Sequence, residues 1–143
     1  MLRKTITTNL KKTRVGRELM IPLRYLYHLY AIPHRRKLLQ KRGPQVLQDL
    51  TEIFQRNNIQ AFATCGMLLG FVRENNFISH DDDMDIGVLP NTKSAVEVLD
   101  ILLHHESGFR YMFGFKYHDR LTEFKVEYKG IPIDFFFPGR QQG

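Results

Sequence analysis

The chain has 143 residues, 43% of them hydrophobic and 25% charged, close to globular averages and long enough for one domain with a buried core. That composition excludes wholesale disorder and a membrane-embedded body. The net charge of +6 is unevenly placed: residues 1–42 hold twelve Lys/Arg against one acid, Glu18, and carry +11, while the remainder carries −5.

In chain order, residues 1–18 are rich in Thr, Lys and Arg without a clear period, the composition of a basic arm whose partner is anionic, either a membrane surface or a nucleic acid. The stretch Leu19–Ile32 is interrupted by Pro22, Arg24 and His28 and is followed by Pro33, so it is too short and polar to span a bilayer. It also lacks the apolar core and cleavage site of a secretory signal. Its leucines, tyrosines and flanking cations suit a short helix, lying at a membrane interface or packed on the domain. Gly43-Pro44 marks the boundary expected between this arm (1–42) and the domain proper (43–143).

Val46, Leu47, Leu50, Ile53 and Phe54 fall at helical spacing, predicting an amphipathic helix from Gln45 that stops near Asn57-Asn58. Ile59 to Cys65 reads as a buried strand running into Gly66. A second helix follows, with Met67, Leu68, Phe71 and Val72 as its expected buried face and Asn75-Asn76 as its end. The acid-rich loop Ser79 to Asp83 then turns into an alternating strand through Leu89. Lys93 to His105 reads as a helix buried through Val96, Leu99, Leu102 and Leu103. Thr122–Tyr128 and Ile131–Phe137 form an expected hairpin around Lys129-Gly130. The sum is an α/β (α+β) domain, a small mixed sheet flanked by helices.

Chemistry concentrates in three carboxylates. Asp83 and Asp85 are two apart on a strand and project to one side, while Met84 and Ile86 face the core. Asp134 stands alone among Ile131, Ile133, Phe135, Phe136 and Phe137, where an unpaired carboxylate is costly. Three convergent carboxylates are hard oxygen ligands suited to Mg2+ or Mn2+ with substrate phosphates in the remaining positions. A calcium loop fits Asp81, Asp83 and Asp85 but fails at Ile86, where glycine is needed, and at Thr92, where a glutamate belongs. A purely solvated acid run does not explain the strand that continues it or the isolated Asp134. Gly66-Met67-Leu68-Leu69-Gly70, a glycine at a strand-to-helix junction, offers backbone N–H groups to a phosphate. The single cysteine, Cys65, allows no internal disulfide and fits a reducing, cytoplasmic setting.

The ordered set GMLLGFVR (Gly66–Arg73), FISHDDDMDIG (Phe77–Gly87) and IPIDFFF (Ile131–Phe137) resembles the LicD/fukutin family of the polymerase-β-like nucleotidyltransferase superfamily, over roughly residues 45 to 138. The resemblance implies a nucleotidyltransferase fold. It also implies transfer of a phosphorylated group, such as phosphocholine or a polyol phosphate, from a CDP-linked donor to a cell-surface glycan or its precursor. Asp83 and Asp85 match the family's metal-binding pair, Asp134 its third acid and Gly66 the glycine beside the nucleotide phosphates. Arg73 matches the family's arginine, for phosphate contact or for fixing the acidic loop, and His80 takes a place often aromatic there. Asp81 and Asp82 shape the loop. Met67 stands where superfamily members outside the family have serine, which argues against a template polymerase. Family members also continue after the third acid with further helices, so a truncated, minimal or partner-dependent version is expected. The implied setting is peripheral, on the inner face of a membrane held by residues 1–42. Two rivals stay open: a minimal nucleotidyltransferase acting on RNA or protein, and a non-catalytic nucleotide-binding domain.

Overall fold

The computed structural model describes residues 14–139, with side chains described from Arg24 onward. The first part of the expected arm, residues 1–13, lies outside the described residues. Two compact units divide the chain at His34/Arg35. In the first, the backbone from Arg14 is helical, and Tyr25, Leu26, Tyr27, Leu29 and Tyr30 are exposed.

The second unit begins at Arg35, ahead of the Gly43-Pro44 signal. Helix α1, Arg14–Arg56, runs straight through that dipeptide, so the expected helix start at Gln45 is not observed. The reason is tertiary. Pro44 has no amide hydrogen to give the Gln40 carbonyl, but Gly43 lets the Phe77 ring lie against the helix, where a Cβ would come within 2.7 Å of Phe77 Cε2. The Gln40 side-chain amide also donates to the carbonyls of Phe77 (3.0 Å) and Ile78 (3.1 Å). Leu39, Val46, Leu50, Ile53 and Phe54 form the buried stripe of α1. After Arg56 the chain leaves the helix at Asn58, which takes a left-handed φ of 54°.

Strand β1 (Ala61–Ala63) is shorter than expected and lies at a sheet edge, so Phe62 is 44% exposed and the segment is not a buried strand. Helix α2 (Cys65–Glu74) ends at Asn75 in the left-handed region. It buries Met67 and Gly70 and half-buries Phe71, whereas Leu68 and Val72 point outward, contrary to the expected face. The turn of the helix toward Gly70 follows from close packing: a Cβ on Gly70 would come within 2.9 Å of the Ile78 backbone nitrogen. Strand β2 (Met84–Val88) buries Met84, Ile86 and Val88, as the alternation predicts.

Helix α3 (Ala95–Asp100) starts at a capping box, Ser94 with Glu97, and passes into a π-helical turn over Ile101–His105. Its buried side chains are Ala95, Val98 and Leu102; Val96, expected inside, faces outward. Strand β3 (Phe109–Tyr117) is not among the expected elements. Strands β4 (Arg120–Tyr128) and β5 (Ile131–Phe136) form the expected hairpin, and Lys129 (φ 50°) and Gly130 (φ 83°) supply the two positive-φ positions of its tight turn.

The sheet order is β1-β2-β5-β4-β3, antiparallel except for the parallel β2–β5 pair. This is the mixed α/β architecture expected. Met84, Ile86, Ile133, Phe135, Phe124 and Val126 pack with the buried side chains of α1 and α3 in one core, and Phe54 meets Phe135 edge-on at 6.1 Å. Residues that alternate with these strand positions, including Asp85, Lys125 and Asp134, project to the other face.

Candidate active site

The β2–β5 register sets Asp85 directly beside Asp134, and the β5–β4 register sets Asp134 beside Lys125. Three strands therefore place two carboxylates and an ammonium in one row. Asp83, just ahead of β2, reaches the same group: Lys125 Nζ donates to Asp83 Oδ2 at 3.0 Å and to Asp134 Oδ2 at 2.6 Å.

Asp134 is 6% exposed, and its Oδ1 is buried without a hydrogen-bond partner. Burial, only partly offset by the Lys125 hydrogen bond and charge and reinforced by Asp83 and Asp85, pushes its carboxyl up to about 6. Burial and the Asp83 charge likewise raise Asp85, against a hydrogen bond from the Gly66 N–H. Burial opposes charge on Lys125 too, yet its bonds to Asp134 and Asp83 outweigh that and lift the ammonium above its ordinary value.

Gly66 serves the acids twice: its N–H holds the Asp85 carboxylate, and its missing side chain makes room for Asp81, whose Oδ2 would lie 2.5 Å from a Cβ there. Asp81 is raised by burial and by Asp83. Asp82 pairs with Arg35 of α1 at 3.6 Å. The acid loop is thus tied both to the start of α2 and to α1.

The remaining expected substrate contacts are placed as follows. Met67 packs in the hydrophobic core, so its side chain does not reach the acids, and Leu68 is exposed. Gly70 is buried against the 76–78 backbone. Arg73 and His80 are exposed, and neither forms an ion pair among the described residues.

Lys125 is the residue that the sequence reading missed. Its only signal is alternation, a polar position between the buried Phe124 and Val126, which also describes any solvent-facing strand lysine.

Three carboxylates on one side, one with a buried and unpartnered oxygen, have the donor chemistry a hard divalent cation takes. Among the described residues, however, no three His, Cys, Asp or Glu side chains are already arranged as a ligand group. The ammonium of Lys125 lies between two of the candidate donors.

The profile of a family described as LicD/FKTN/FKRP, nucleotidyltransferase domain, matches residues 58–140, which include Gly66, the acid loop and Asp134. The uncharacterized protein RT0683 of Rickettsia typhi is 29% identical over 106 residues, 65% of this chain and 34% of the relative. The uncharacterized protein RP689 of Rickettsia prowazekii is 42% identical over 45 residues, 32% of this chain and 17% of the relative. The matched region thus spans about a third of one relative and less of the other. No solved structure matches the chain.

Proposed function

The chain belongs to the LicD family of nucleotidyltransferase domains, and from that premise we propose that it is a metal-dependent phosphotransferase. It moves a phosphocholine-like or polyol-phosphate-like group from a CDP-linked donor to a cell-surface glycan or its precursor. The observation that carries this reading is the row Asp85, Asp134 and Lys125 across three strands, with Asp83 at its edge.

Asp83, Asp85 and Asp134 would hold Mg2+ or Mn2+, which when bound offsets charge on the donor phosphates. The chain's own groups supply the rest. Gly66 N–H fixes the Asp85 carboxylate. Lys125 balances the charge of Asp83 and Asp134, and its flexible stem would let the ammonium reach a phosphate oxygen of the donor. Asp134, beside Asp85 in the register of β2 and β5, is the acid that would take the proton of an attacking hydroxyl.

Among the described residues no helix is long and apolar enough to cross a membrane. The exposed Tyr25, Leu26, Leu29 and Tyr30, with the +11 of residues 1–42, support peripheral attachment to an anionic inner leaflet.

The test is a thermal-shift panel of CDP, CTP, ADP and GDP with Mg2+ or Mn2+, because specific binding stabilises the fold by mass action. Cytidine nucleotides should raise Tm most, only with metal, and not in Asp83→Ala or Asp85→Ala. Metal-independent shifts of equal size in those variants would overturn the assignment. A metal-dependent preference for purine nucleotides would overturn the CDP-linked donor.

A further inference from the structure

On the side of α1 that meets the acid loop lies a cavity of about 390 Å³, lined by Arg36, Lys37, Gln40, Lys41 and Ser79. We propose that this cavity is a phosphate-binding site, distinct from the carboxylate row, that takes a phosphate or diphosphate ester.

Three cations converge on it from about one and a half turns of helix. Arg35, beside them in sequence, spends its charge on Asp82. Lys37 and Lys41 have no ion pair among the described residues. Arg36 interacts with the Asp81 charge, yet its Nε is buried without a hydrogen-bond partner. The guanidinium's terminal N–H groups match the geometry and charge of a phosphate oxygen better than those of any neutral acceptor.

The walls are fixed in advance. Gln40 donates to the carbonyls of Phe77 and Ile78, and Asn76 Nδ2 donates to Gln40 Oε1 at 3.5 Å. The segment that ends in Ser79 is therefore held against α1, and the Ser79 hydroxyl adds a neutral donor at the rim. A surface run of solvated lysines has no such opposing wall. Acidic groups near the cavity, Asp81 and Asp82, are engaged with Arg36 and Arg35. They leave two uncompensated positive charges, which favours a doubly charged ligand over a neutral sugar or a cation.

The phosphate can come from a soluble nucleotide or from a lipid headgroup, and the two are separable. Isothermal titration of the full chain with inorganic pyrophosphate, with EDTA present, removes any contribution from a metal held by the carboxylates. A failure here leaves the metal reading standing, and the reverse. Lys37→Gln/Lys41→Gln should weaken pyrophosphate binding by about tenfold or more, with ligand-free Tm unchanged because both side chains are exposed. Lys116→Gln, on β3, should change it by less than about twofold if the effect is not general charge. Arg36→Gln should weaken binding as well, and if it lowers Tm the lysine pair decides alone. Parallel titrations with CDP, with cytidine, and with phosphatidylcholine vesicles with and without phosphatidylglycerol identify the source. Lysine-dependent binding of CDP but not cytidine marks a soluble ester, and lysine-dependent binding only to the anionic vesicles marks a headgroup. Wild-type pyrophosphate affinity in the lysine pair, or an equal loss in Lys116→Gln, overturns the site.

Discussion

Lys125 Nζ lies 2.6 Å from Asp134 Oδ2 and 3.0 Å from Asp83 Oδ2, so one ammonium joins two acids that stand 51 residues apart in the chain. It holds the position between them that a divalent cation would contest.

Lys125→Met should therefore destabilise the metal-free domain by about 1–3 kcal/mol, because Asp83, Asp85 and Asp134 lose their common counter-charge in a half-buried setting. Mg2+ or Mn2+ should then raise Tm more in the variant than in wild type, since the cation meets no resident ammonium. Equal metal-induced shifts in the two proteins, followed by scanning fluorimetry, would show that Lys125 and the metal do not share a site.

Asp134 gives a pH signature. Its carboxyl near 6 lies above the unfolded value of 3.8, so the folded state binds the proton more tightly. Stability from this group is complete below about 4 and is lost as pH rises through about 6. The loss amounts to about 2–3 kcal/mol for a shift of this size. Asp134→Asn carries no charge at any of these pH values, so its Tm relative to wild type, in EDTA, should climb between pH 4 and pH 7.5. A pH-independent difference would assign Asp134 an ordinary carboxyl. Transfer activity in Asp134→Asn should be lost with only a modest fall in nucleotide affinity.

Gly66→Ala separates site from fold. The new methyl would meet the end of the Asp81 side chain, which can swing aside, and alanine is the better helix former by about 1 kcal/mol. Tm should change little, while metal-dependent nucleotide binding falls by about tenfold because the acid loop no longer seats against α2. Unaltered binding in a calorimetric titration would show that the Gly66–Asp81 approach is incidental.

Removing residues 1–34 rather than 1–42 spares Leu39 and the rest of the compact unit. Nucleotide binding should survive that deletion, and sedimentation with anionic vesicles should drop in a salt-sensitive way, each lost basic side chain near the surface being worth about 1 kcal/mol. Retained vesicle binding would place the lipid contact in the second unit. Tight RNA binding by the full chain without vesicle binding would turn the arm toward nucleic acid.

What the sequence discloses about this site depends on how local each relationship is. Asp83 and Asp85 with Met84 and Ile86 follow from a two-residue period, and Lys129-Gly130 follows from the backbone angles of a tight turn. The alternation Phe109, Tyr111, Phe113, Phe115, Tyr117 of β3 is equally local. Lys125 was not readable, because its partner Asp83 is 42 residues away and only strand register joins them. Gly43-Pro44 misled for the same reason: the dipeptide has a strong local meaning, and the Phe77 ring that overrides it comes from another part of the chain. On α2 and α3, Val72 and Val96 show that hydrophobicity alone does not say which side of a short helix turns inward.

The last strand in sequence, β5, is a central strand in the sheet, inserted between β2 and β4. A chain still emerging from the ribosome can close the α1, α2 and β2 segments and fold the local β3–β4 pair, yet the side of β2 where Asp85 meets Asp134 stays unpaired until β5 is released. Long-range parallel pairing is the slow, entropically costly step. Assembly of the acidic row is accordingly a late event in biosynthesis. Fragments that stop short of residue 131 would display the first two aspartates without the third, so an unfinished polypeptide would lack the complete site.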